Sequence, residues 1–268
     1  MTNFTNYPRV VFGVTFLIFV LSIWLGHWIL NKFHTKDSET SVDLGIIQSA
    51  TLTLLGLIIG FTFSMAIDRY DNRKVLEEAE ANAISTEYLR ADLLPSETAA
   101  RTKDLLGQYL DQRILFYSKQ APEKAKEIRK KTGELQQALW NEVLPVAHNQ
   151  ATPIVALAVS GMNDVINSEG YTQAAWWNRI PQTAWVMLVA IAICANLLVG
   201  YGARNFRKNL GLFLMFPFVI SVSLFLIADI DSPRGGIIRI QPSNLLALQD
   251  SLKQPQHSLV TISNKTNN

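Results

Sequence analysis

The chain has 268 residues, 49% hydrophobic and 17% charged, with a formal net charge of +2 at pH 7. Soluble domains carry about a quarter charged residues, so the balance points to a membrane protein. The small net charge, with acids and bases interleaved, excludes an extended basic surface for nucleic acid, and the single Cys194 excludes an internal disulfide and a cysteine metal cluster.

In chain order, residues 10–30 form an uncharged run between Arg9 and Lys32, long enough to cross a bilayer. It lacks a small-residue cleavage site and reads as a retained helix, with Trp24 and Trp28 suited to an interfacial belt. His27 is its one titratable group and reads as an interfacial histidine rather than a proton-linked one. Residues 31–43 read as a short polar loop. A second uncharged run, 44–67, gives way abruptly to charge at Asp68-Arg69, with no Gly or Pro between Phe61 and Leu94. This predicts one continuous helix that leaves the bilayer and projects into water. Gly56, Gly60 and Ser64 recur every fourth residue as a small-residue face open to close helix packing. Ser49, Thr51, Thr62 and Ser64 suggest that part of this helix faces protein or water.

Residues 68–179 hold 14 basic and 16 acidic side chains, as expected of solvated helical faces. Four helices are predicted. The first continues the second span to about Leu93 and stops at Pro95. The second starts with Ser96 as N-cap and buries Leu105, Leu106, Tyr109, Leu110, Ile114 and Phe116. The third runs from Pro122 to about Leu144-Pro145, and the fourth from a Thr152 cap to about Asn167. Tyr171, Trp176 and Trp177 then mark a return to the headgroup level. Spans at 180–203 and 209–228 follow, with Asn196 as a helix–helix hydrogen-bonding group, a buried Cys194 and a kink at Pro217. Residues 231–268 form a C-terminal segment, expected to be disordered after about 252. The fold class is thus an all-α membrane protein with four transmembrane helices and a helical domain between the second and third. Four spans place both termini and residues 68–179 on one side. Basic residues near the membrane are too evenly shared between the two sides for the positive-inside rule to say which.

Several stretches resemble one family. Gly60-Phe61 followed by Arg69-Tyr70 is similar to the second transmembrane helix of bestrophin anion channels. The run Gly60 to Ala66, the stretch Tyr88 to Pro95 and the motif Asp231-Ser232-Pro233-Arg234-Gly235-Gly236 resemble the bacterial bestrophin-like domain family over roughly residues 44–245. The resemblance implies a homo-oligomer, a pentamer in bestrophins, whose second helices ring an axis. It implies a neck of Thr53, Leu57 and Phe61 that passes small inorganic anions such as chloride, with Thr53 making the outer ring wetter. It also implies a bacterial inner membrane with termini and residues 68–179 in the cytoplasm. Read from the residues alone, Leu57 and Phe61 fit ordinary bundle core equally well.

No enzyme constellation appears: no P-loop, no Gly-x-Ser-x-Gly, no histidine pair at helical spacing among His27, His34, His148 and His257. No cofactor is expected. Asp68, Asp71, Glu77, Glu78 and Glu80 read as a solvated acidic face paired with Arg69, Arg73 and Lys74. Asp229 and Asp231 supply only part of a hard-cation site, and a turn in which Asp231 caps the bend Pro233 to Gly236 is preferred. Two functions stay open: an anion channel, and a non-conducting membrane scaffold or sensor whose helices in 68–179 bind a partner.

Overall fold

The computed structural model describes residues 7–33, 38–118, 122–203 and 209–253, and every regular element among them is a helix. The first two are α1 (Pro8–Phe33) and α2 (Ser38–Arg90). Both reach further than the apolar runs that define them. No Gly or Pro stops α1 before Phe33, so most of the predicted polar loop is helix, and residues 34–37, with His34 and Lys36, lie outside the described residues. α2 is continuous over 53 residues and passes from apolar to charged sequence without a break. A single 3-10 turn, Ala91–Leu93, ends it just ahead of Pro95, which disfavours helical backbone at the residue before it.

α3 (Ser96–Tyr117) starts at Ser96 itself. Pro95 holds the N-cap position without a side-chain bond, so the expected serine cap is not made. α4 (Pro122–Asn149) runs through Pro145 instead of stopping there, because a proline near the last turn removes one donor and leaves later bonds such as Gln150 N–H to Val146 C=O (2.8 Å) intact. α5 (Pro153–Trp177) starts at the expected cap, where the Val155 N–H donates to Thr152 Oγ1 at 3.2 Å. It continues ten residues past Asn167, since Gly170 alone does not break a helix packed on one side. α6 (Gln182–Tyr201) follows Pro181, and α7 (Leu210–Asp231) contains Pro217 within its length. α8 (Ser243–Lys253) has no counterpart among the predicted elements. The basic turn at 204–208 and the predicted disordered tail beyond Lys253, with His257, lie outside the described residues.

Four helical stretches, within Pro8–Ile29, Asp43–Leu93, Pro153–Tyr201 and Leu210–Asp231, are long and apolar enough to cross a membrane. The chain divides into two compact units, residues 1–71 with 178–239, and residues 72–177 with 240–268.

In the first unit, α1 lies against α6 and α7. Phe19, Leu55, Ala66, Leu188, Ala192, Leu224 and Ile227 fill its core. α1 and α6 approach each other closely. A Cβ on Gly26 would strike the Leu197 carbonyl, and one on Gly200 would strike the Ile23 carbonyl. Small residues thus set the helix spacing here, whereas a Cβ on Gly56 or Gly60 would meet nothing among the described residues within 4 Å. No glycine among the described residues has positive φ, so these positions require glycine for space, not for backbone conformation. The hydroxyls of Ser49, Thr51, Thr53 and Thr62 each donate to the carbonyl four residues back, at 2.7–2.9 Å. They are satisfied within the helix and do not require a polar neighbour. Asn196 is buried, but its amide donates to Ala192 O at 2.7 Å within α6, not across helices. Cys194 is exposed, not buried, because it lies on the side of α6 away from Ala192 and Ala195. His27 Nδ1 donates to the Ala203 carbonyl at 3.2 Å.

In the second unit, α3, α4 and α5 pack in sequence and α8 lies on α3. Trp176 is not an interfacial ring. It is buried against Phe116 (4.6 Å between ring centres) and Tyr117 (5.5 Å), while Tyr171 and Trp177 are exposed.

Candidate functional site: the two faces of the second helix

Within the first unit, α2 has two sharply different faces. Leu52, Leu55, Ile59, Phe63, Ala66 and Tyr70 recur at three- and four-residue intervals and join the core. Thr53, Leu57 and Phe61 lie opposite and are exposed, Leu57 by 54% and Phe61 by 64%. Gly56, Gly60 and Ser64 are exposed beside them. The two stripes read from the sequence are therefore one continuous face that a single chain leaves uncovered. Thr53 is less wet than its name suggests: its hydroxyl donates to Ser49 O at 2.9 Å, leaving its methyl group as the apolar part.

The uncovered face ends on charge. Asp68 lies seven residues after Phe61, about two turns on and on the same side, and both Asp68 and Asp71 are exposed. The nearby arginines do not share that side. Arg69 donates from Nη1 to Asn178 Oδ1 at 3.4 Å, and Arg73 is buried, its Nε donating to the Ala175 carbonyl at 3.1 Å.

The acidic stretch after Asp68 is not one solvated face. Asp68, Asp71 and Glu78 are exposed, but Glu77 and Glu80 are buried, because α2 turns them inward at every third or fourth residue with Arg73, Ile84 and Glu87. Glu80 is ion-paired with Arg113 of α3 and accepts from Tyr117 (3.4 Å) and Thr172 (3.2 Å). Burial opposes the charged form of Arg113, yet Glu80 beside it more than offsets this and raises its pKa. Burial likewise pushes the Tyr117 phenol up, and Glu80 pushes it further. Glu77 caps α8: it accepts the backbone N–H groups of Asn244 and Leu245 at 3.0 Å and the Asn244 amide at 2.6 Å. This contact spans 167 residues of sequence, which is why neither α8 nor its cap is visible locally.

The motif from Asp231 to Gly236 forms a tight turn after α7, built differently from the expectation. Asp231 does not cap the bend. Its Oδ1 accepts the Ile180 N–H (3.2 Å) and its Oδ2 faces Arg179 Nε (3.4 Å), tying the end of α7 to the start of the preceding span. The bend is held by Ser232 Oγ, which accepts the Gly235 N–H at 3.1 Å, and by Asp229, which accepts the N–H groups of Ile237 and Ile238 at 2.8 Å each. Asp229 sits so close that any Cβ on Gly236 would collide with it. Arg234 and Pro233 lie in the turn itself. Among the described residues, no group of three or more His, Cys, Asp and Glu side chains comes together to hold a metal ion.

Comparison with known proteins agrees with this architecture. No curated protein matches the chain. A bacterial bestrophin homologue from Klebsiella pneumoniae is similar in structure, with a TM-score of 0.61 at 14% identity, covering 90% of this chain and 97% of that one. A substituted form of that homologue gives 0.62 at 12% identity, over 91% and 97%. A structure described only as a membrane protein gives 0.57 at 15% identity, over 91% and 97%. At such identities these likenesses carry the fold alone. The model of the bestrophin-like domain matches residues 13–245. With four apolar helices suited to a bilayer and the bestrophin-like model matched over most of its length, the chain is an integral membrane protein of the bestrophin-like family.

Proposed function

We propose that the chain assembles with copies of itself, as a pentamer on the family pattern, into an ion channel whose neck is lined by Thr53, Leu57 and Phe61. The observation that supports this reading most is the uncovered face of α2. Large apolar side chains at four-residue spacing stand exposed on a helix whose opposite face packs into the core through Leu55 and Ala66. Rings of such side chains around an axis gate by dewetting and favour weakly hydrated ions. The family's anion preference makes chloride-type anions the proposed permeant species. The membrane is then a bacterial inner membrane, with both termini and residues 68–179 in the cytoplasm.

The test is chloride flux into liposomes holding the purified protein, wild type beside Phe61→Ala, with subunit number measured on the same preparation. An intact oligomer whose flux rises several-fold on truncation of Phe61 supports the neck. A well-folded oligomer without flux in either form removes it, and leaves the scaffold reading with partners for residues 68–179.

Current–voltage recording of the same preparation in a planar bilayer examines the charge at the end of the face. Asp68 repeats once per subunit and repels anions at that level of the pore. Asp68→Asn is expected to raise chloride permeability relative to sodium, read as a shift in reversal potential. The side chain is exposed and the fold should be indifferent to the change.

A further inference from the structure

Glu87 lies on the buried stripe of α2, 0% exposed, and neither of its carboxylate oxygens has a hydrogen-bond partner. An ionised carboxylate in that position would lack the donors that buried charge requires. Gly161 of α5 lies directly against it, and a Cβ there would collide with Glu87 Oε2 and Arg90 Nη1. The carboxyl group of Glu87 on α2 thus lies against α5 at Gly161, in the space a side chain there would occupy. The charges facing it are Arg90 from its own helix and Asp164 from α5, and the Arg90 Nη1 to Asp164 Oδ2 separation is 4.0 Å. One cation is therefore shared between two acids. Asp92 in the 3-10 turn is taken up by Lys103 of α3 at 2.6 Å. Burial pushes the Glu87 carboxyl up to about 8, with Arg90 opposing and Asp164 adding to the rise.

We propose that Glu87 is a proton-operated lock on the α2–α5 crossing: its protonated carboxyl seals the contact at Gly161, and its ionisation loosens α5 from α2. The lock is a property of the second unit and does not depend on whether the chain conducts. The sign follows from linkage. The folded state holds the proton more tightly than the unfolded chain. Stability from this group is therefore fully present below the unfolded value of 4.5 and is lost as pH rises through about 8.

The experiment is thermal unfolding of the full-length protein in detergent from pH 4 to pH 9.5, for wild type, Glu87→Gln and Asp164→Asn. The wild-type melting temperature is expected to fall over this range, and Glu87→Gln, which cannot ionise, to flatten that fall. Asp164→Asn removes the acid that helps raise the Glu87 pKa, so the midpoint of the fall should move to lower pH. Asp164 is well exposed, so this variant folds even where Glu87→Gln does not. A purely structural Glu87 would leave the midpoint in place. A pH profile unchanged in both variants overturns the lock, as does an unshifted midpoint in Asp164→Asn when Glu87→Gln fails to fold.

Discussion

Arg113→Ala is expected to destabilise the second unit by about 3–5 kcal/mol, enough to remove most of the stability of a typical domain. Arg113 is 1% and Glu80 0% exposed, and they form an ion pair sealed by Tyr117, Thr172 and the aromatic cluster around Trp176. The guanidinium also stacks 4.5 Å from the centre of Phe116 and lies 3.6 Å from Glu169. Removing the cation leaves Glu80 charged, buried and short of donors, which costs far more than the pair itself contributes. The paired replacement Glu80→Leu with Arg113→Met should therefore be milder than Arg113→Ala alone. Denaturant titration followed by tryptophan fluorescence checks both, since Trp176 reports from within the cluster. Equal or greater damage in the double variant would show that the pair itself, and not the orphaned charge, supplies the stability.

Gly200→Val is expected to prevent the first unit from folding, seen as loss of monodisperse protein on extraction. The new Cβ meets the Ile23 backbone carbonyl and Cα, and neither can yield as a flexible side chain would. Gly26→Val should fail equally, against the Leu197 carbonyl and the Tyr201 N–H. Gly56→Val and Gly60→Val provide the contrast. Nothing among the described residues comes within 4 Å of a Cβ at either position, so the single subunit should tolerate them. Any loss of subunit number in those two variants would report a contact made between chains at the α2 face. Equal yields for Gly200→Val and Gly60→Val would contradict the α1–α6 packing described.

Much of this architecture was legible in the sequence because it is written in composition. Uncharged runs of bilayer length mark the spans, and the absence of Gly or Pro from Phe61 to Leu94 marks the unbroken α2. Turn chemistry was legible at the Thr152 cap, failed at Ser96, where Pro95 takes the N-cap position, and was illegible where the partner is remote. Nothing near Glu77 reveals that it caps a helix starting at Ser243, and nothing near Asp231 reveals its bond to Ile180. The acidic residues after Asp68 misled because charge was read as solvation. In fact Arg73, Glu77, Glu80 and Glu87 fall on the inward stripe of α2, a period visible in the spacing 73, 77, 80, 84, 87. Within the chain the glycines that close a helix contact are Gly26 and Gly200, whereas Gly56 and Gly60 lie on the face of α2 that a single chain leaves uncovered.

The most direct measurement of the central claim is chemical modification of Phe61→Cys while flux is recorded. Cys194 is exposed, so it is first replaced in a Cys194→Ser background that must itself retain wild-type flux. A negatively charged, membrane-impermeant thiol reagent is then added to liposomes containing the oligomer, and the extent of labelling is read by mass. If Phe61 lines the neck, modification puts anionic groups into a narrow ring and chloride flux should fall in proportion to labelling. Complete labelling with undiminished flux would contradict a pore lined by this face of α2.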